Sequence, residues 1–366
     1  MLLEFDADQR LWQETVRDAV TKACPASLVR GVAENGEDAT PLWQTYVDAG
    51  WTELTDPENA VELAIVAEEL GRATDPTPFL ATLTQFAPLA GDRYDPQKSG
   101  TAVYSGVTAH RDADGWVLNG TAHHVLDGDR AEKLAVVTEA GVFVVDAGVA
   151  VTRRSAVFDP VLHIAEVTFA GTHVPDTDRV RIDTERARHV ALTGMAITMV
   201  GACQRILDLV LEHVKQRQQF GVAIGTFQAV QHKAVDMHVA TERARALSYF
   251  AALTIAADDP RRRLAAAMAK ASAGEAQALV FRHGLQLFGA MGFTWENDLQ
   301  FALKRAKAGE LMLSPGHASS IAIAIDQEDW PEVVGTIAGD DTVLVITPDN
   351  PTAAELQTRL MGYLEK

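Results

Sequence analysis

The chain has 366 residues, 47% hydrophobic and 22% charged, with a formal net charge of −18 and a pI near 5.0. That length suits two or three compact units, and so acidic a surface argues against nucleic acid as a partner, although a few local cations are enough to hold a pyrophosphate. Cys24 and Cys203 lie far apart with no zinc or disulfide spacing, and MLLEFDADQR carries neither a basic run nor a long apolar run. The expectation is therefore a cytoplasmic chain with no signal peptide and no membrane span.

Residues 1–97 read as a helical domain. Asp6 or Asp8 is placed to cap a helix over Gln9–Lys22. A second run from Pro57 to Arg72 sets Val61, Leu63, Ile65, Val66 and Leu70 at helical spacing. Residues 98–182 change character. β-branched runs at 102–104, 116–118, 134–138, 142–145 and 164–169 are punctuated by Gly, Asp and Asn, the pattern of a small β domain. From 183 to 326 the chain turns helical again, with Ile206, Leu207, Val210, Leu211 and Val214, then Ala240, Ala244, Leu247 and Ala251, recurring at helical intervals. Long helices with short connections predict an antiparallel four-helix bundle, and Ala265-Ala266-Ala267 permits close helix approach. The extension 327–366 holds a strand-like Val343-Leu344-Val345-Ile346 and a capping box at Thr352–Glu355 that opens a last helix to Tyr363. The fold class is thus α+β, mainly α.

Two segments carry chemistry. Arg217-Gln218-Gln219-Phe220-Gly221 ends a long helical stretch and is followed by Ile224-Gly225-Thr226-Phe227-Gln228. A planar, always-charged guanidinium suits a diphosphate, although Arg217 alone equally suits a helix C-terminus. Further on comes Gln286-Leu287-Phe288-Gly289-Ala290-Met291-Gly292-Phe293, whose glycines let backbone approach a ligand closely. Either segment alone is weak. As a pair, in a helical–β–helical chain, they resemble the two cofactor-clamping motifs of the acyl-CoA dehydrogenase family over about residues 1–325.

The resemblance implies FAD as cofactor, an acyl-CoA thioester as substrate for α,β-dehydrogenation, and an electron-transfer flavoprotein as acceptor. It implies that Arg217 binds the FAD pyrophosphate and that Phe220 and Gln228 flank and hydrogen-bond the ADP portion. Gln219, Phe227, Gln286, Gly289, Ala290 and Gly292 complete the nucleotide end, with Ala290 standing where the family has a second glycine.

Other parts of the family pattern are missing. The catalytic glutamate slot falls on Leu313 within LKRAKAGELMLSPGHA, and the earlier-helix alternative falls near Ala191 with Glu185 off register. Removal of the acidified α-proton needs a positioned base, typically contributing about 10²–10⁴-fold, and leucine supplies none. Tyr104-Ser105-Gly106-Val107 leaves no room for the family's flavin-walling loop, and Leu126 replaces the hydroxyl residue that hydrogen-bonds the flavin ring, in His124-Val125-Leu126-Asp127-Gly128. His123-His124 lacks a third ligand at metal spacing and reads as a strand and turn pair.

In the family, one subunit walls the flavin ring while its neighbour holds the ADP end. This chain keeps the parts that act across the interface and lacks those that act within a subunit. It therefore resembles the non-catalytic partner in an α₂β₂ heterotetramer, with no catalytic residue and no metal ligand of its own. The second dehydrogenase chain then brings the base, the ring wall and most of the acyl-CoA site. Heteromers of this kind point to a steroid side-chain CoA ester. The alternatives are a self-sufficient homotetramer using Glu310 as base and a scaffold subunit that binds no flavin.

Overall fold

In the computed structural model, residues 5–112, 115–313, 335–338, 343–346, 351–352 and 356 are described. The chain divides into two units, Met1–Met312 and Leu313–Lys366. The division precedes the 326/327 boundary expected from the sequence. The last bundle helix stops at Leu311, Met312 is extended and Leu313 has a φ of 51°.

The N-terminal layer begins with α1 (Ala7–Ala23), capped by Asp6, whose carboxylate accepts from the Gln9 backbone at 2.8 Å in a reciprocal capping box. Next come α2 (Ala26–Asn35), α3 (Thr40–Asp48) and α4 (Ala60–Ala73), the last preceded by a 3₁₀ turn at Pro57–Asn59. A π-helical turn at Ala81–Phe86 leads into α5 (Ala87–Ala90).

Eight strands follow: β1 (Gly100–Val103), β2 (Val107–Arg111), β3 (Trp116–Leu126), β4 (Lys133–Thr138), β5 (Gly141–Asp146), β6 (Val151–Arg154), β7 (Ile164–Val174) and β8 (Arg179–Val180). They form two sheets, ordered β1-β4-β5-β8 and β2-β3-β7-β6. Val103, Leu118, Leu134, Val136, Phe143, Val167 and Phe169 fill one core cluster of this region. Strands β2 and β6 have no strong apolar run in the sequence. Both are edge strands with largely exposed polar residues, so no buried face writes alternation into them.

The bundle consists of α6 (Thr184–Gln216), α7 (Gln228–Ala256), α8 (Arg262–Phe288) and α9 (Leu299–Leu311). Helix α6 is long and apolar enough to cross a membrane by length and composition, but 83% of its apolar window is buried against the rest of the chain, as in a bundle's central helix. It meets α4 at backbone contact. A Cβ on Gly71 would lie 2.2 Å from the Thr198 carbonyl oxygen, and one on Gly201 would lie 2.0 Å from that of Glu68. Any side chain at either glycine would push the helices apart. On α8, Ala265, Ala266, Ala269, Ala273 and Ala276 are all buried, the close approach its small residues predict. In the second unit β11 (Gly335–Ala338) pairs antiparallel with β12 (Val343–Ile346), the strand read from the sequence. Most of the expected helix at 352–363 lies outside the described residues.

Candidate functional site

Helix α6 ends at Gln216, and Arg217 leaves it in extended conformation. Two short strands, β9 (Gln218–Gln219) and β10 (Val222–Ala223), then pair across a two-residue turn. Both tip residues have positive φ, 54° at Phe220 and 82° at Gly221. Glycine accepts this freely. A phenylalanine there stores about 1–3 kcal/mol of strain. Phe220 is nonetheless 91% exposed, so nothing packed within the chain accounts for its placement. The Ile224 N–H donates to the Arg217 carbonyl at 2.8 Å and closes the hairpin base. Phe227, at the start of α7, meets Phe220 edge to face at 6.1 Å, and Gln219 and Gln228 are both exposed beside them.

The second motif ends α8. Gly289 adopts φ 62°, ψ −143°, a conformation side chains rarely reach, and opens a 3₁₀ turn through Phe293. Gly289 and Ala290 are exposed and Gly292 is buried. Ala290 is not among the positive-φ positions, which is why alanine is tolerated where the family has glycine.

The fold brings the two motifs to one end of the bundle. His213, one turn before Arg217, stacks on Phe288 with centroids 4.4 Å apart and planes at 13°. Burial, then the Arg217 charge, lowers the His213 pKa, so a neutral ring serves as the floor between the motifs. Lys233 Nζ donates to Gln286 Oε1 at 2.7 Å. Sequence reasoning missed His213, Phe288 and Lys233 as parts of this face. The only available signal was their adjacency to the motif residues.

The position of the missing ring-binding hydroxyl lies elsewhere. Leu126 is 5% exposed and belongs to a cluster with Ala81, Leu162, Ile164 and Ala308, against which Leu80, Val157 and Met312 pack. The end of β3, where the family keeps a ring-binding hydroxyl, thus lies in one apolar cluster with Met312, the neighbour of the base slot. A cavity of about 20 Å³ remains beside Leu80, Leu126, Leu162 and Arg305. That admits about one water, whereas ligand pockets hold about 300–1,000 Å³. The residues present therefore do not fit a flavin ring. Arg305, 6% exposed, bonds the fully buried Asp159 at 3.2 Å and the Asp75 carbonyl at 2.8 Å, linking α9 to the segment after α4 and to the connection between β6 and β7. Only Tyr104-Ser105-Gly106 connects β1 to β2, so no walling loop intervenes.

The remaining carboxylate candidates point away. Ala308 faces this cluster from α9, Met312 packs against it just past the end of the helix, and Glu310 sits roughly 200° round the helix from Ala308. Its carboxylate pairs with Lys307, its carbonyl accepts from Lys270 on α8 at 3.1 Å, and its side chain lies towards Gly274. Ala191 is fully buried, and Glu185 is exposed beside Arg263. His123-His124 falls in a β-bulge where β3 and β7 shift register, and His123 Nδ1 lies 3.0 Å from Glu166. Among the described residues no group of three metal-ligating side chains is found.

Comparisons with known proteins bear on the family and the fold. The profile for "Acyl-CoA dehydrogenase, C-terminal domain" matches residues 186–313, and "Arginine repressor, C-terminal domain" matches residues 311–361. The chain is 31% identical to acyl-CoA dehydrogenase IpdE2 of Mycobacterium tuberculosis, over 88% of this chain and 98% of that one. IpdE2 of Mycolicibacterium smegmatis is 30% identical over 84% and 95%. The chain belongs to the acyl-CoA dehydrogenase family. Its fold matches the ChsE4-ChsE5 complex of M. tuberculosis with a TM-score of 0.78 at 21% identity, covering 90% of this chain and 100% of that one. A steroid acyl-CoA dehydrogenase, Tcur3481-Tcur3483, superposes with a TM-score of 0.72 at 25% identity, covering 87% and 97%. The tail is different: 55 residues are 67% identical to the arginine repressor of Solibacter usitatus, covering 15% of this chain and 38% of the repressor. The extension that sequence patterns left without a family thus resembles part of another protein class, joined at 311–313.

Proposed function

We propose that this chain is the non-catalytic subunit of a FAD-dependent, heteromeric acyl-CoA dehydrogenase and holds the ADP end of a FAD seated mainly in a partner chain. One observation carries the reading. The nucleotide-end positions gather on an open face around Arg217 and Phe220, while Leu126, at a ring-side position, is buried in an apolar cluster against which the half-buried Met312, beside the base slot, packs. Decay of a former enzyme has no reason to separate them in this way. FAD in the complex would accept the substrate hydride. This chain's Arg217, Gln219, Phe220, Phe227, Gln228, Gln286, Gly289, Ala290 and Gly292 would bind and orient its nucleotide, and the partner would bring the base and most of the acyl-CoA site. The steroid enzyme among the structural neighbours favours a steroid side-chain CoA ester as substrate, with an electron-transfer flavoprotein as acceptor.

The test is flavin absorbance of the chain purified alone and then with a dehydrogenase chain encoded beside it. The expected result is a colourless chain and a yellow complex. Stoichiometric FAD on the chain alone would overturn the reading. Glu310→Gln should leave turnover of the complex unchanged, whereas loss of a general base costs about 10²–10⁴-fold.

The tail favours a second, separate role. We propose that residues 311–361 recognise L-arginine, the amino acid after which their relatives, the arginine repressors, are named. Titration calorimetry of the full chain should show heat with L-arginine and none with L-lysine. No heat with L-arginine would end this proposal without touching the first.

A further inference from the structure

We propose that Lys233 is a positioning residue of the nucleotide face, fixing the orientation of the Gln286 amide and adding a cation at the bundle end that holds Arg217. The inference rests on the half-site reading above and extends it to a residue outside both motifs. Lys233 lies on α7, five positions after Gln228, and its ammonium donates to Gln286 Oε1 across to α8 at 2.7 Å. An ammonium only donates, so the amide oxygen must face it. The Gln286 Nε2 hydrogens are then turned away from Lys233. On an exposed residue they are available as two donors to phosphate or ribose oxygens. Without Lys233 the amide is free to flip and present an acceptor, which an anionic ligand opposes.

The ring beside the lysine is neutral. His283, one helical turn before Gln286, lies near Lys233, and burial followed by the Lys233 charge keeps its pKa below the ordinary value. A neutral ring there does not repel the lysine. Among the described residues neither Lys233 nor Arg217 has an acidic partner, and the same holds for Arg282 beside His283. On a chain of net charge −18, three unpaired cations at one bundle end fit a diphosphate. Helix packing alone does not call for a lysine there, because its amine contacts only a surface amide.

The experiment uses the co-purified complex. Lys233→Met, Lys233→Arg, Gln286→Ala and the Lys233→Met/Gln286→Ala double variant are compared for FAD dissociation at two salt concentrations, with Arg217→Ala alongside. Lys233→Met should weaken FAD retention about tenfold, the cost of one charge-assisted contact. It should also flatten the salt dependence, and Lys233→Arg should restore much of both. The double variant should lose clearly less than the sum of the two single losses, because the lysine acts in part through the glutamine and in part as a cation. Additive losses would overturn the positioning role. FAD retention unchanged in Lys233→Met but weakened in Arg217→Ala would overturn this inference alone. No effect of Arg217→Ala would instead overturn the half-site reading. Unfolding midpoints of the free variants, expected at the wild-type value, separate ligand loss from fold loss.

Discussion

Arg217→Ala is expected to strip most of the FAD from the complex while leaving the isolated chain folded. Arg217 is exposed at the end of α6 and has no ion pair among the described residues, so the chain loses no internal contact. The ligand loses a charge-assisted contact worth about 1.5–3 kcal/mol, or roughly ten- to a hundredfold in affinity. Lysine should restore less than half of that, because an ammonium cannot offer the diphosphate a bidentate fork. The measurement is FAD absorbance per complex after gel filtration, with the unfolding midpoint of the free chain as control. Full flavin occupancy in the alanine variant would favour the scaffold alternative, since a scaffold has no use for the guanidinium.

Arg305→Ala should have the opposite profile, a large loss of stability in the isolated chain. Asp159 is fully buried and receives Arg305 at 3.2 Å, so removal of the arginine strands a carboxylate in the core. Breaking a buried pair from one side costs about 3–5 kcal/mol, a large share of a domain's total stability. The Asp75 carbonyl loses a donor at the same time. Replacing both partners, in Arg305→Met/Asp159→Asn, should recover much of the loss because no uncompensated charge remains. Urea unfolding of the three proteins checks this. A single variant within about 1 kcal/mol of wild type would show that the closed seat does not depend on the ion pair. The pair matters for function because it holds α9 against the β region, where the ring would otherwise lie.

Much of the architecture was legible in the chain. Helical and alternating periodicities record which face is buried, so α1, α4 and the strong strands could be read directly. The edge strands β2 and β6 could not, because an edge with polar faces leaves no periodicity. Helix α9 ends at Leu311, short of the boundary at 326 read from the sequence, and residues 314–334 between the two units lie outside the described residues. The tail's class lay in residue identities rather than in patterning, and comparison with the arginine repressors brought it out.

The residues themselves carried the clamp motifs and the absence of a carboxylate at Leu313 and Ala191, because guanidinium, glycine and carboxylate chemistry belongs to residue type. Only the tertiary structure decided where those losses meet. Leu80, Leu126, Leu162 and the Ala308/Met312 pair come from four separate segments, and nothing in their order says that they share one cluster. Sequence also left Glu310 open as a base until the turn of α9 directed it to Lys307 and α8, away from Leu126. Which groups are present is a property of the chain. Whether they surround a cavity or fill one depends on packing between segments distant in sequence, which local patterns do not encode.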